Sequence, residues 1–231
     1  MAEARERSPF GRAQVVLLGV LAYVPLLLSA PGRVAGDTKL YLYLNPGRLI
    51  SDSLWSWDAR QLGGWVPHQN VGYLWPTGPF YAFFDWLGCP DWIAQRLWLG
   101  TLLFVAGLGA RRLARLFDQP MIVAGATSIF YQLTPYVLPY ISRTSALLLP
   151  WSLLPWLIHS VIGYARTGEH RHLGIFGLLV LSTGGLNATA LLMIAPAPLI
   201  FFVHEARRRG TKYTLKGLGA LGALSIAVSA W

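Results

Sequence analysis

Residues 13–32 read AQVVLLGVLAYVPLLLSAPG, an uncharged and mostly apolar run of 20 positions. That is the length an α-helix needs to cross the hydrocarbon core of a bilayer. Arg5, Arg7 and Arg12 precede it, as basic residues precede a secretory signal. Its apolar core is longer than a signal's, no Ala-x-Ala cleavage site follows, and further apolar runs come after it, so it reads as a retained first span. The composition of the 231 residues agrees, at 54% hydrophobic and 13% charged with ten Trp. Soluble domains carry about 25% charge, and a disordered chain would lack these aromatics. The fold class expected is an all-α polytopic membrane protein. Cys89 is the single cysteine, which excludes an internal disulfide.

Outward from that first run, apolar stretches place further spans at about 92–110, 120–141, 144–165, 171–184, 188–205 and 216–231. The uncharged stretch 173–203 is long for one span and short for two. Gly184-Gly185-Leu186-Asn187 offers a turn near its middle, and basic residues flank both ends, so a hairpin of two short helices is expected. On this arrangement 13 of the 19 Lys and Arg fall on the side of the N-terminus. Basic residues stay cytoplasmic, so the net charge of +9 describes topology and not a nucleic-acid partner. The apolar end at Trp231 suggests an N-terminal piece of a longer protein.

One connection is long, residues 33–91, and the topology puts it outside the cell membrane. It holds Asp37, Asp52, Asp58, Asp85 and Asp91, five of the ten acids. Long connections with their own structure are usually functional. Residues 79–88, PFYAFFDWLG, place Pro79 at a helix start and Gly88 past its end, with Phe80, Phe83, Phe84 and Leu87 on one face. This predicts a helix lying in the membrane interface. Residues 40–44 alternate Leu and Tyr, and read as either membrane-hugging helix or strand. Asp37, just beyond the first span, suits either a helix cap or a general base for a hydroxyl nucleophile. Lys39 could meet a lipid phosphate there. His68, Gln69 and Asn70, followed by Tyr73 and Trp75, combine hydrogen-bonding groups with aromatic faces, the mixture a sugar needs; an ordinary interfacial loop has the same composition. Asp52 and Asp58 do not form an Asp-x-Asp pair, and no His/Cys cluster indicates a metal.

Three strings, RVAGDTKL at 33–40, HQNVGYLWPTG at 68–78 and QRLW at 95–98, occur in this order and resemble the N-terminus of the mycobacterial alpha-(1→3)-arabinofuranosyltransferase family. That family is C-type, a class of lipid-phosphosugar-dependent glycosyltransferases. The resemblance implies a C-type transmembrane helix bundle in the plasma membrane, with the N-terminus cytoplasmic and the active-site loop extracytoplasmic. It implies transfer of arabinofuranose from decaprenyl-phosphoryl arabinofuranose to an arabinan acceptor of arabinogalactan or lipoarabinomannan, with inversion by direct displacement and no covalent sugar–enzyme intermediate; no cofactor is expected. On it, Asp37 becomes the catalytic base, Lys39 and Arg96 bind the donor phosphate, and Asp58, His68, Gln69, Asn70, Tyr73 and Trp75 bind sugar or acceptor. Thr77 departs from the family's pattern, which has a histidine there, and this argues against a catalytic role at that position. Protein partners are unspecified. A sister enzyme using polyprenyl-phosphomannose would share the topology. A transporter or flippase should show ionisable residues within its spans or broken-helix repeats, and this chain offers little beyond His159 and the short turn at 184–187.

Overall fold

A computed structural model describes residues 9–37, 41–55, 57–60, 63–64, 66, 74–141, 143, 145–184 and 188–229. The described secondary structure is helical, apart from a single bridge position at Asp58. Helix α1 (Pro9–Leu28) is followed in the long connection by α2 (Tyr41–Leu44), α3 (Pro46–Asp52) and α4 (Thr77–Trp86). Then come α5 (Asp91–Leu116), α6 (Met121–Gln132), α7 (Val137–Ile141) and α8 (Leu148–Thr167), the last preceded by a 3-10 turn, Ser145–Leu147. The remaining helices are α9 (His170–Gly184), α10 (Ala188–Ile194), α11 (Pro196–Ala206) and α12 (Thr211–Ser229).

Among the described residues, three helices are long and apolar enough to cross a membrane: Pro9–Leu28, Asp91–Leu116 and Ser145–Thr167. Helix α5 is the hub, packed against α1, α6 and α8. Its buried residues include Ala94, Trp98, Leu102, Ala106 and Ala110, which follow a helical stripe. Between apolar helices in lipid, small residues allow close approach and polar side chains supply the links. Both occur here. A Cβ on Gly107 would stand 2.7 Å from Gln132 Oε1, and Gln132 Nε2 donates to the Leu18 carbonyl at 3.0 Å. A Cβ on Gly100 would stand 2.3 Å from the ring of Tyr23, whose hydroxyl lies 3.0 Å from Thr101 Oγ1. Gly100→Val is therefore expected to force the Tyr23 ring out of place and cost about 1–3 kcal/mol, seen as a lower melting temperature in detergent, with Gly107→Ala also destabilising.

A second core joins α8 to α9, α11 and α12 through Leu157, Val161, Phe176, Phe202 and Leu221. At its end Arg166 makes two bonds to Glu205, Nε to Oε2 at 3.1 Å and Nη2 to Oε1 at 2.9 Å. Large apolar side chains stay exposed along the helices, among them Val16, Ile122, Phe130, Leu178, Ile200 and Ile226, as surfaces facing lipid do.

The structure refines several expectations. Helix α5 continues past Arg111, Arg112 and Arg115 to Leu116. Arg111 is only 6% exposed because Gln14 Oε1 accepts from its Nε at 3.1 Å. The run 120–141 is two helices, broken around Pro135, which has no amide hydrogen to continue the ladder. Residues 41–44 are helical, which removes the strand reading. In α4 the face turned to the core is Thr77, Phe80, Tyr81 and Phe84, while Phe83, Trp86 and Leu87 are exposed. The helix has two apolar faces, and the expected single stripe merged them. The turn at 185–187 lies outside the described residues, with α9 ending before it and α10 starting after it.

Candidate functional site

The site is built where the segment after α1 crosses the first turns of α5. Gln95 grips one peptide residue from both sides: its Oε1 accepts from Ala35 N at 2.8 Å and its Nε2 donates to Ala35 O at 3.1 Å. Arg96 reinforces this grip. Its Nη1 donates to Gln95 Oε1 at 2.9 Å and its Nη2 to the Arg33 carbonyl at 3.2 Å. Gln95 is 2% exposed and Arg96 6%, so these bonds are shielded from water and costly to leave unmade.

Two residues beyond Ala35, the Asp37 carboxylate reaches the start of the Ser145–Thr167 helix. The Ser145 amide donates to its Oδ2 at 3.2 Å, and the Ser145 hydroxyl donates to the same oxygen. A carboxylate at a helix N-terminus meets unpaired amides and the positive end of the helix dipole. Asp37 thus bridges the chain entering the loop and the α8 unit, at the end of the bundle opposite Arg111 and Arg166.

Behind the carboxylate stands an aromatic wall. Tyr43 and Tyr81 are each 3% exposed, with ring centroids 5.2 Å apart, and Tyr81 also packs on Trp98 at 6.1 Å. Local sequence sets this wall: Asn45 Oδ1 caps α3 by accepting from Arg48 N at 3.0 Å, and Pro46 occupies the first helical turn. Buried Pro46 and Leu49 then anchor the short helix beneath Tyr43. Burial first, then the charge of Asp37, pushes the Tyr43 hydroxyl well above the usual tyrosine range. Burial does the same to Tyr81, with smaller contributions from Tyr43 and Asp37. Both hydroxyls stay protonated and can donate. The Tyr43 hydroxyl and Arg96 Nε are buried and make no hydrogen bond among the described residues. Tyr43, Thr77, Tyr81, Trp98, Ser145 and Leu149 enclose about 10 Å³, the room one water molecule needs.

Of the residues singled out by sequence, Asp37 and Arg96 come together here, both acting on Tyr43. Arg96 spends two of its donors on Gln95 and the Arg33 carbonyl, which is a structural task. Asp58 stands elsewhere, paired with Arg60, whose Nε donates to Asp58 Oδ1 at 2.8 Å. That pairing holds the Asp58 carboxyl down at about 2. Trp75 donates from Nε1 to Ser182 Oγ of α9 at 3.2 Å. Lys39, His68, Gln69, Asn70 and Tyr73 lie outside the described residues. Sequence reasoning missed Ser145 and Tyr43 as parts of the site, and it gave no role to Gln95. Gln95 lay within the recognisable 95–98 string, whereas Ser145 is 108 residues from Asp37 and nothing local marks it.

The described part of the chain is thus an all-helical bundle with Asp37 strapped at the start of its first long connection. The family model described as alpha-(1→3)-arabinofuranosyltransferase, N-terminal GT-C domain, matches residues 21–231, and the chain belongs to this family. It is similar to the alpha-(1→3)-arabinofuranosyltransferase of Mycobacterium tuberculosis, with 31% identity over 217 residues, 90% of this chain. The protein of the same description from Mycolicibacterium smegmatis is 33% identical over 209 residues, 86% of this chain. The chain spans only 15% and 14% of the length of these two curated relatives. The cryo-EM structure of the arabinofuranosyltransferase AftD from mycobacteria shares the fold at a TM-score of 0.79 and 25% identity, over 95% of this chain and 17% of that one. A mutant form of AftD gives 0.82 at 24% identity, with the same coverage.

Proposed function

We propose that this chain forms the donor-side membrane domain of an arabinofuranosyltransferase, and that Asp37 is its catalytic base. The donor is decaprenyl-phosphoryl arabinofuranose and the acceptor a growing cell-wall arabinan. In the reaction the Asp37 carboxylate takes the proton of an acceptor hydroxyl. That oxygen attacks the anomeric carbon of the donor, and the bond to the polyprenyl phosphate breaks on the opposite face, inverting the configuration. Arg96 Nε, with Lys39 in the adjoining segment, supplies positive charge for the departing phosphate. The family resemblance assigns sugar and acceptor binding to His68, Gln69, Asn70, Tyr73 and Trp75.

The observation that carries this reading is the fixing of Asp37. One carboxylate oxygen is held by two Ser145 donors while its backbone is tied to α5 through Ala35. Positioning a base in this way is what proton transfer in a transition state requires. The membrane placement that fits is N-terminus cytoplasmic and the 33–91 connection extracytoplasmic.

The test is transfer by membranes carrying the protein, supplied with labelled decaprenyl-phosphoryl arabinofuranose and an arabinan oligosaccharide. Label is expected in the arabinan with the arabinose donor and not with polyprenyl-phosphomannose. Transfer from the mannose donor alone would move the protein to the sister class.

A further inference from the structure

The second polar concavity of the long connection sits away from Asp37. Asp52, Trp55, Trp57, Asp58, Ala59 and Arg60 enclose about 260 Å³. That approaches the range of small-molecule sites, and it opens on the surface, with Trp55 70% and Trp57 58% exposed. Arg60 ties the floor together. Its Nη2 donates to Asp52 Oδ2 at 2.6 Å and to Asp58 Oδ2 at 3.0 Å, and its backbone amide donates to Asp58 Oδ1 at 2.9 Å. Arg48 Nε adds a longer contact to Asp52 at 3.4 Å. Trp57 is seated rather than loose: a Cβ on Gly64 would fall 2.0 Å from its ring, so only glycine, here at φ +113, lets the backbone lie against the indole.

We propose that this concavity is a subsite for the acceptor glycan, binding sugar units remote from the growing end. Two acids and two arginines cancel in charge, so the pocket favours neither an anion nor a cation. Its carboxylate oxygens accept from hydroxyls, its guanidinium donates to them, and its two indoles offer faces to the C–H side of a sugar ring. Those are the needs of a neutral, hydroxyl-rich ligand. The position fits as well. The pocket begins at Asp52, the last residue of α3, whose first turn is buried beside Tyr43. Seven helical residues span about 10 Å, more than one sugar ring covers, so a chain engaged at both places has several units. Arg60 keeps Asp58 ionised far below neutral pH, so its charge does not change between about pH 5 and 8. The proposal rests on the glycosyltransferase reading for its choice of ligand.

The test is direct binding of an α-linked arabinofuranosyl oligosaccharide to the detergent-solubilised protein in the Asp37→Asn background, where no turnover occurs. Trp57→Ala and the pair Trp55→Ala with Trp57→Ala are expected to weaken binding at least tenfold. Trp57→Phe, which keeps an aromatic face, should retain most of it. Transfer to a single-unit arabinofuranoside, measured with Asp37 intact, should be unchanged by the same substitutions. Equal oligosaccharide affinity in all variants overturns the proposal, as does no binding to the parent protein. Unchanged affinity together with loss of bromolipid quenching in Trp55→Ala and Trp57→Ala would assign the indoles to the bilayer instead. The transfer assays stand apart from these measurements: an inactive wild-type protein that still binds the oligosaccharide through Trp57 would fail the catalytic reading and keep this one.

Discussion

Membranes in which Asp37 is replaced by Asn are expected to lose arabinofuranosyl transfer by about 10²–10⁴-fold, the contribution of a positioned general base. The substitution keeps the shape of the side chain, and an amide oxygen still accepts from the Ser145 amide and hydroxyl. The contacts that tie α8 to the loop therefore survive in large part, and the protein should reach the membrane at normal levels. What disappears is the group that takes the proton. Donor binding should be almost unaffected, so the loss should fall on kcat more than on KM. Ser145→Ala makes the complementary change, removing the hydroxyl donor while leaving its amide and the base in place; a smaller drop in kcat is expected, recovered by Ser145→Thr. Transfer at wild-type rate by the Asn variant would remove Asp37 from the chemistry.

Gln95→Leu should produce the second large effect. Leucine fits the volume, yet it leaves the Ala35 amide, the Ala35 carbonyl and one Arg96 nitrogen without partners, in a place where Gln95 is 2% exposed. Each unsatisfied buried group costs about 1–3 kcal/mol, enough to detach the segment from α5. Asp37 moves with that segment, and a displacement of about 1 Å at a reacting group costs on the order of 10²-fold in rate. The expected result is a kcat reduced about 100-fold, with most of the protein still folded, because α1 and α5 remain joined elsewhere. Gln95→Glu keeps the acceptor for Ala35 N–H and strengthens the pairing with Arg96, so it should recover part of the activity. Unchanged transfer in Gln95→Leu would show that the strap does not position the base.

The three long helices were legible because their signal is local. An uncharged run of sufficient length has one stable use, and 13–32, 92–110 and 144–165 fall on Pro9–Leu28, Asp91–Leu116 and Ser145–Thr167. The ends were less legible. Arg111 looks like a terminator in sequence, yet it is buried in a continuing helix, where Gln14, 97 residues earlier, supplies an acceptor. The site divides in the same way. Asp37 and Arg96 stand in recognisable strings, whereas the Ser145 contact joins segments with no common pattern. Tyr43 was visible only as part of a Leu/Tyr alternation that a strand or a helix would satisfy equally. Its burial against Tyr81 and Trp98 is a tertiary fact.

The pairing of α1 with α5 has a mechanical side. Gln14 meets Arg111 near one end of these two helices, Tyr23 meets Thr101 further along, and the segment after α1 is tied to Gln95 through Ala35, so neither helix can slide along its partner without breaking a polar contact. The pair acts as a stator. Helix α8 is joined to this pair as well: Trp156 Nε1 donates to the Val105 carbonyl of α5 at 2.9 Å, and Ser145 holds Asp37 from the same side. The base is thereby seated among elements that brace one another, and it shifts only if more than one of these contacts breaks.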